Sequence, residues 1–296
     1  MANREIAALK AHLAAHAPPP GATLAESRAA TAKRRAMKPR PGLTVERVML
    51  GGVPADRLAF ADSAADRVVL HHHGGGYIQG TAETHRAYGA ELAWATRGTV
   101  YMSDYRLAPE HPFPAAFDDA VAAYRGLLDL GIAPDKLALA GDSAGGGLAL
   151  ASAMEARARR WPQPAALALL SPWIDLACTS ESWQTLAAVD PGTRDILIKM
   201  TTLYAGTTSP VDWRMSPLHG DLSGLPPMLI LAGTDEGFVG EAVALYGKAK
   251  AAGRDASLDI WPDMIHVWPT WPDHLVAAKQ AIGRIADFLR DRLPPR

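Results

Sequence analysis

The sequence is poor in cysteine, in net charge and in long apolar runs. Its one cysteine, Cys178, excludes an intrachain disulfide framework and belongs to no C-x-x-C metal spacing, which fits a reducing compartment. Thirty Lys plus Arg against 31 Asp plus Glu leave a net charge of -1, so no overall basic field recruits nucleic acid or an anionic membrane. Nowhere do about 18 consecutive apolar residues occur, and Lys10 arrives before any signal-like apolar run. A cytoplasmic chain with no membrane insertion is therefore expected. The one basic stretch, Arg28, Lys33, Arg34, Arg35, Lys38 and Arg40, contains no acid and reads as the solvated face of an N-terminal helix.

What is present is an ordinary globular composition, 48% hydrophobic and 21% charged over 296 residues, enough to build a large core. Ile6, Leu9 and Leu13 share one face of a short first helix, stopped by Pro18-Pro19-Pro20-Gly21. From residue 44 strands alternate with helices: strands near 44–50, 54–60, 67–73, 98–104, 136–141, 165–171, 227–233 and 256–261, helices near 83–95, 115–130, 144–160, 239–252 and 273–291. This rhythm implies an α/β fold, a mostly parallel eight-stranded sheet with helices on both faces. The first two strands are joined by Gly51-Gly52, too short for a parallel crossover, and form an antiparallel hairpin at one edge. Residues 179–215 break the rhythm with Trp183, Met200, Tyr204 and Trp213 at no strand period. The expectation is one domain, 1–296, carrying a helical cap made from two stretches, about 1–40 and 179–215.

Gly141-Asp142-Ser143-Ala144-Gly145 follows an apolar strand and opens a helix, the context in which G-x-S-x-G makes a nucleophile elbow. The five-residue pattern alone is weak; the strand before and the helix after give it meaning. A serine hydroxyl needs a base held by a carboxylate. His266, after the last strand and before the last helix, is the expected base, while His219 and His274 read as solvated. The acid should leave the intervening strand, and Asp235, turning out of Met228–Ala232 through Gly233-Thr234, is the first candidate. Glu236 is its neighbouring rival, and Asp263 lies too near His266 in sequence to face the ring. An oxyanion needs preorganised N–H donors, which Gly74, Gly75 and Ala144 would supply, helped by the positive end of the helix at Ala144. A metal site at His71-His72-His73 is disfavoured, because consecutive strand residues face opposite sides.

Four blocks in order, His73-Gly74-Gly75-Gly76-Tyr77, Asp104 to Ala115, Gly141 to Gly146 and His266-Val267-Trp268, make the chain resemble the hormone-sensitive-lipase-like branch of α/β-hydrolase esterases over most of residues 45–290. The resemblance implies the α/β-hydrolase fold, hydrolysis of small carboxylic esters with short or medium acyl chains through an acyl-enzyme, no cofactor, and frequently a homodimer through the edge of the last strand. It also implies that Asp104, Tyr105 and Arg106, with His73, buttress the oxyanion loop, and that the cap segments shape the acyl pocket. Trp183, Tyr204, Trp213, Trp268 and Trp271 are candidates to narrow that pocket. An amidase or other acyl hydrolase with the same triad, and a non-catalytic ligand-binding receptor on the same scaffold, are the competing readings; the presence of His266 speaks against the receptor. Two positions depart from the family pattern: Gly240, where an aspartate is common, and the pair His71-His72, where aromatic or apolar residues are usual.

Overall fold

Short turns and crossover helices decide the strand order. A computed structural model describes residues 2–36, 40–186 and 193–294. Strands β1 (Thr44–Leu50) and β2 (Val53–Ala59) form the antiparallel hairpin, with Leu50 opposite Val53 across the two glycines. They are followed by β3 (Val68–His72), β4 (Thr99–Ser103), β5 (Leu137–Asp142), β6 (Ala166–Leu170), β7 (Met228–Asp235) and β8 (Ala256–Ile265). The sheet order is β1-β2-β4-β3-β5-β6-β7-β8; β2 pairs antiparallel with β4 and all later pairs are parallel. The expected eight-stranded α/β fold is therefore observed. The strand β8 runs four residues beyond the expected end, because an irregularity between Gly233 and Asp235 lets Asp235 pair with Ile265.

Both faces of the sheet are covered, as parallel strands require. Val69, Ala138, Ala168 and Leu229 lie in one core with helices α3 (Arg86–Thr96) and α9 (Val276–Arg292). The intervening residues Leu70, Leu139, Leu167 and Ile230 enter the other, with α4 (Ala115–Asp129), α5 (Ala144–Ala158) and α8 (Val239–Ala251). A third cluster, containing Tyr77, Tyr105, Leu148, Trp173, Trp183, Tyr204 and Phe238, forms where the strands end in the direction of the chain. It receives α6 (Ser182–Thr185) and α7 (Arg194–Ala205), the short helices of the segment after β6.

The N-terminal helices are α1 (Ala2–Ala15) and α2 (Leu24–Arg34). Ile6 and Leu9 of α1 are buried in the first core, as their spacing predicts. Thr23 caps α2 and Glu26 returns the bond, a complete capping box. The basic stretch departs from its expected solvated role. Arg28 donates to the Ile78 and Ala108 carbonyls at 2.7 and 2.9 Å and pairs with Glu110. Arg35 lies 4.4 Å above the Trp271 ring and donates to Thr270, and Arg40 pairs with Glu91. Guanidinium groups reach carbonyls and aromatic faces that an ordinary solvated charge would not. These arginines therefore fasten α2 and the chain after it to the sheet domain, and Lys38 lies outside the described residues.

Candidate active site

The end of β5 places Ser143 in a conformation that L-residues rarely adopt, φ 53° and ψ -122°, at the start of α5. The turn is possible only between glycines: a Cβ on Gly141 would lie 2.1 Å from the Gly145 carbonyl oxygen, and one on Gly145 would lie 1.9 Å from that of His72. Bonds from the Ser143 amide to the Leu170 carbonyl and from the Trp173 amide to the Ser143 carbonyl, both 2.9 Å, tie the elbow to β6 and the loop after it.

His266 meets this serine from the end of β8. Its Nε2 lies 3.0 Å from Ser143 Oγ and its Nδ1 lies 2.6 Å from Glu236 Oε2. A carboxylate only accepts, so Nδ1 carries the proton and Nε2 is left to accept from the hydroxyl. The second oxygen of Glu236 accepts from the Gly233 amide at 2.6 Å and from Ser171 Oγ at 2.7 Å, and Ser171 Oγ in turn accepts from the Val267 amide at 3.2 Å. The carboxylate is fully buried. One hydroxyl thus joins the end of β6, the acid and the histidine loop.

The expectation that Asp235 holds the imidazole is corrected. Asp235 ends β7 on the other side, with Oδ1 accepting from Thr234 Oγ1 at 3.3 Å and Oδ2 lying 3.8 Å from Lys10 Nζ. The strand β7 ends at Asp235 after the irregularity in its ladder, and the bend that follows carries the next residue, Glu236, to the His266 side. Met228 to Ala232 are buried on both faces, and a strand without polar and apolar alternation has no parity to read. Ser171 left no signal in the sequence either, being one serine before a proline.

The turn after β3 carries Gly74 and Gly75, and Gly75 has φ 125°, a region open to glycine alone. A Cβ on Gly74 would lie 2.3 Å from Asp142 Oδ2. Among the described residues nothing accepts from the amides of Gly74, Gly75 or Ala144. Tyr105 Oη donates to the His73 carbonyl at 2.6 Å and its ring stacks on His73 at 4.2 Å. Asp104 accepts from the Ala82 amide at the far end of the same loop. Arg106 does otherwise than expected: its guanidinium pairs with Asp119 of α4, so it braces that helix and not the glycine turn.

The two unusual histidines now have a reason. His71 Nε2 lies 2.9 Å from Asp142 Oδ1, with His85 3.5 Å from the other oxygen, and His72 Nδ1 lies 2.7 Å from Ser103 Oγ. Burial opposes ionisation of Asp142, yet the neighbouring His85 and His71 hold its carboxyl well below the usual carboxylate range. Burial in turn lowers His72 to about 3 and His73 to about 4. These rings are internal polar packing; among the described residues no three His, Cys, Asp or Glu side chains converge as a metal site.

The Gly240 departure is also explained. A Cβ there would lie 1.9 Å from Ser180 Oγ, in the segment after β6. The next residue, Glu241, points into the segment after β6 and accepts from the Ile174 and Asp175 amides at 2.8 and 2.9 Å and from Trp183 Nε1 at 3.2 Å. Burial pushes its carboxyl up to about 8. Trp268 and Trp271 belong to the core under α9, away from Ser143, whereas Trp183 and Tyr204 pack in the third cluster and Trp213 lies against it. His274 precedes α9 instead of beginning it. A cleft of about 550 Å³ lined by Asp62, Arg67, Arg97 and Arg290 lies at the start of β3, at the other end of the sheet. There Arg67 and Arg290 donate to the carbonyls of Leu293, Thr96 and Ala95, as helix-end partners do.

Comparison with known proteins bears on the family and the fold. A family described by its α/β hydrolase fold matches residues 69–270. An acetyl-hydrolase of Streptomyces hygroscopicus is 42% identical over 230 residues, 76% of this chain and 75% of its own length. An esterase of Acinetobacter venetianus is 34% identical over 255 residues, covering 84% and 82%. A crystal structure of an esterase from the bacterial hormone-sensitive lipase family superposes with a TM-score of 0.95 at 41% identity, over 98% of each chain. The structure of EstE5 soaked with p-nitrophenyl butyrate gives 0.93 at 42%, again over 98% of each.

Proposed function

Because the chain belongs to the α/β-hydrolase family, in its hormone-sensitive-lipase-like branch, we propose that it is a serine carboxylesterase with Ser143, His266 and Glu236 as its triad. The observation that carries this reading is the continuous relay from Ser143 Oγ through His266 to Glu236, with bonds of 3.0 and 2.6 Å. His266 Nε2 takes the hydroxyl proton as Ser143 Oγ attacks the ester carbonyl. Glu236 holds the tautomer and stabilises the imidazolium that results. The amides of Gly74, Gly75 and Ala144 receive the oxyanion, each donor contributing about 3 to 4 kcal/mol in the transition state. Collapse of the tetrahedral adduct breaks the bond to the alcohol, which leaves with the proton from His266. Water then repeats the sequence on the acyl-enzyme, activated by the same imidazole, and frees Ser143.

The surroundings and the relatives support a substrate class. The described residues 179–186 and 193–215 belong to a cap whose α7 lies directly over the glycine turn: a Cβ on Gly76 would lie 2.4 Å from Met200 Sδ. Tyr204 of α7 stacks on Tyr77 at 4.0 Å. Short acyl groups fit so close a roof, and relatives named acetyl-hydrolase and the butyrate soak of EstE5 support the same range. The chain is read as one domain in which the described residues 2–36 complete the cap, and the proposed reaction needs no cofactor. No described helix is long and apolar enough to cross a membrane. A cytoplasmic location accords with the single buried thiol of Cys178. As β8 is an edge strand, a homodimer would form by pairing there.

Turnover of p-nitrophenyl butyrate tests the reading. Ser143→Ala is expected to lower kcat by about 10⁵- to 10⁶-fold, because triad members act as a unit. A fluorophosphonate adduct mapped by mass spectrometry should fall on Ser143. Rates should drop steeply from butyrate to palmitate esters. Undiminished turnover in Ser143→Ala, or an adduct on another serine, refutes the triad; equal rates on both esters refute the short-chain preference.

A further inference from the structure

Two hydrogen bonds hold Nδ1 and Nε2 of the His266 ring, and a tilt of the ring about the line joining these two atoms moves neither nitrogen and so lengthens neither bond. A contact on the ring face is needed to remove this freedom. Phe238 supplies one: its ring stacks on the imidazole with centroids 4.1 Å apart and planes 18° from parallel. Phe238 is itself only 2% exposed. Trp183 of α6 meets it edge-on at 4.5 Å and 84°. The indole N–H of Trp183 donates to Glu241, whose other oxygen accepts from the Ile174 and Asp175 amides. Gly237 makes room for this approach, since a Cβ there would lie 2.2 Å from the indole ring.

We infer that Phe238 is a positioning residue for His266, its ring being the platform that sets the tilt of the imidazole, and that Trp183 locks the platform from the segment after β6. The inference rests on the triad proposed above. The platform has a chemical consequence as well as a steric one. When the imidazole takes the serine proton, a cation sits over an aromatic face, an arrangement that attracts, whereas an aliphatic side chain of similar size offers only contact. The placement also couples the cap to the reaction, because any shift of Trp183 is passed to His266 through one ring.

Phe238→Leu and Trp183→Leu, assayed on p-nitrophenyl butyrate with active sites counted by fluorophosphonate titration, test the inference. Phe238→Leu should lower kcat per titrated site about ten- to hundredfold, the scale expected when a reacting group is misplaced by a fraction of an ångström to 1 Å. KM should stay within about threefold. Trp183→Leu should move kcat in the same direction by a smaller factor. A merely structural role would reduce the number of titratable sites and leave kcat per site unchanged, and that result overturns the inference. Should either variant fail to fold, the wild-type protein still answers. The ring protons of His266, assigned by comparison with His266→Gln, should resonate upfield of an ordinary imidazole through the Phe238 ring current, and ordinary positions overturn the stack. Ser143→Ala measured alongside separates the two levels: loss of turnover there with unchanged Phe238→Leu kinetics removes only the platform, while surviving turnover removes the triad beneath it.

Discussion

Glu236 divides its two oxygens between tasks that are usually hard to combine: one receives the His266 proton donor, and the other is satisfied by the Gly233 amide and the Ser171 hydroxyl. A buried carboxylate without such partners would be costly, and here every bond also fixes the direction from which the imidazole is approached. Replacing it by an amide leaves the shape and removes the charge. Glu236→Gln is expected to lower kcat about 10³- to 10⁴-fold, whereas Asp235→Asn should stay within about twofold, both measured by steady-state hydrolysis of p-nitrophenyl butyrate. The opposite ranking would return the acid to Asp235. Ser143 and His266 were legible because each stands at a break in pattern, a glycine-flanked turn and a strand end. The acid stood beside a near twin, and a choice between adjacent carboxylates needs the strand's parity, which the apolar run from Met228 to Ala232 conceals.

Among the elements, the junction of β3, β5 and α5 carries the tightest demands. Gly145 packs its backbone against the carbonyls of His72 and His73, where a methyl would lie 1.9 and 2.6 Å from oxygen. Neither carbonyl can yield without moving the sheet or the glycine turn. By contrast Gly283, inside α9, has nothing within 4 Å of the methyl it lacks. Gly145→Ala should therefore abolish folding or cost more than about 4 kcal/mol, while Gly283→Ala should stabilise by about 0.5 to 1 kcal/mol through helix propensity. Thermal unfolding of the two variants checks both signs. The same contrast separates the basic residues of the N-terminal stretch. Their charge pattern was visible, but their bonds to Ile78, Ala108 and Trp271 link segments up to two hundred residues and more apart, which charge pattern alone does not encode.

For the molecule as a whole, the buried histidines set how stability responds to pH. His72, His73 and His85 all have their ordinary 6.5 lowered, chiefly by burial, the first two to about 3 and about 4. On acidification the unfolded chain takes up these protons near pH 6.5 and the folded chain does not, so stability present above that pH is lost as it falls toward 4. Glu241 acts with the opposite sign. Its carboxyl, raised from 4.5 to about 8, keeps its proton in the folded state while the unfolded chain releases it, so its contribution declines as pH rises between those values. Each net proton is worth about 1.4 kcal/mol per pH unit. The histidines outnumber Glu241 on the acid side, and Glu241 acts alone from 6.5 to 8. The thermal midpoint should thus peak near pH 6.5, fall clearly by pH 4.5 and decline more gently toward pH 8; a profile rising from 6.5 to 4.5 contradicts these assignments.

By itself the sequence determined the alternation of strands and helices, the hairpin at the sheet edge, the serine elbow, the glycine turn and the histidine, because each rests on local periodicity or on backbone shapes that few residues tolerate. Only the tertiary structure decided that Glu236 faces the imidazole, that Ser171 joins acid to histidine loop, that Arg106 turns to α4, and that His71 and His72 find buried partners. Those outcomes depend on which side of a doubly buried strand a residue faces and on which distant groups share the same few ångströms. Both are set by the packing of the whole chain, which no short stretch contains.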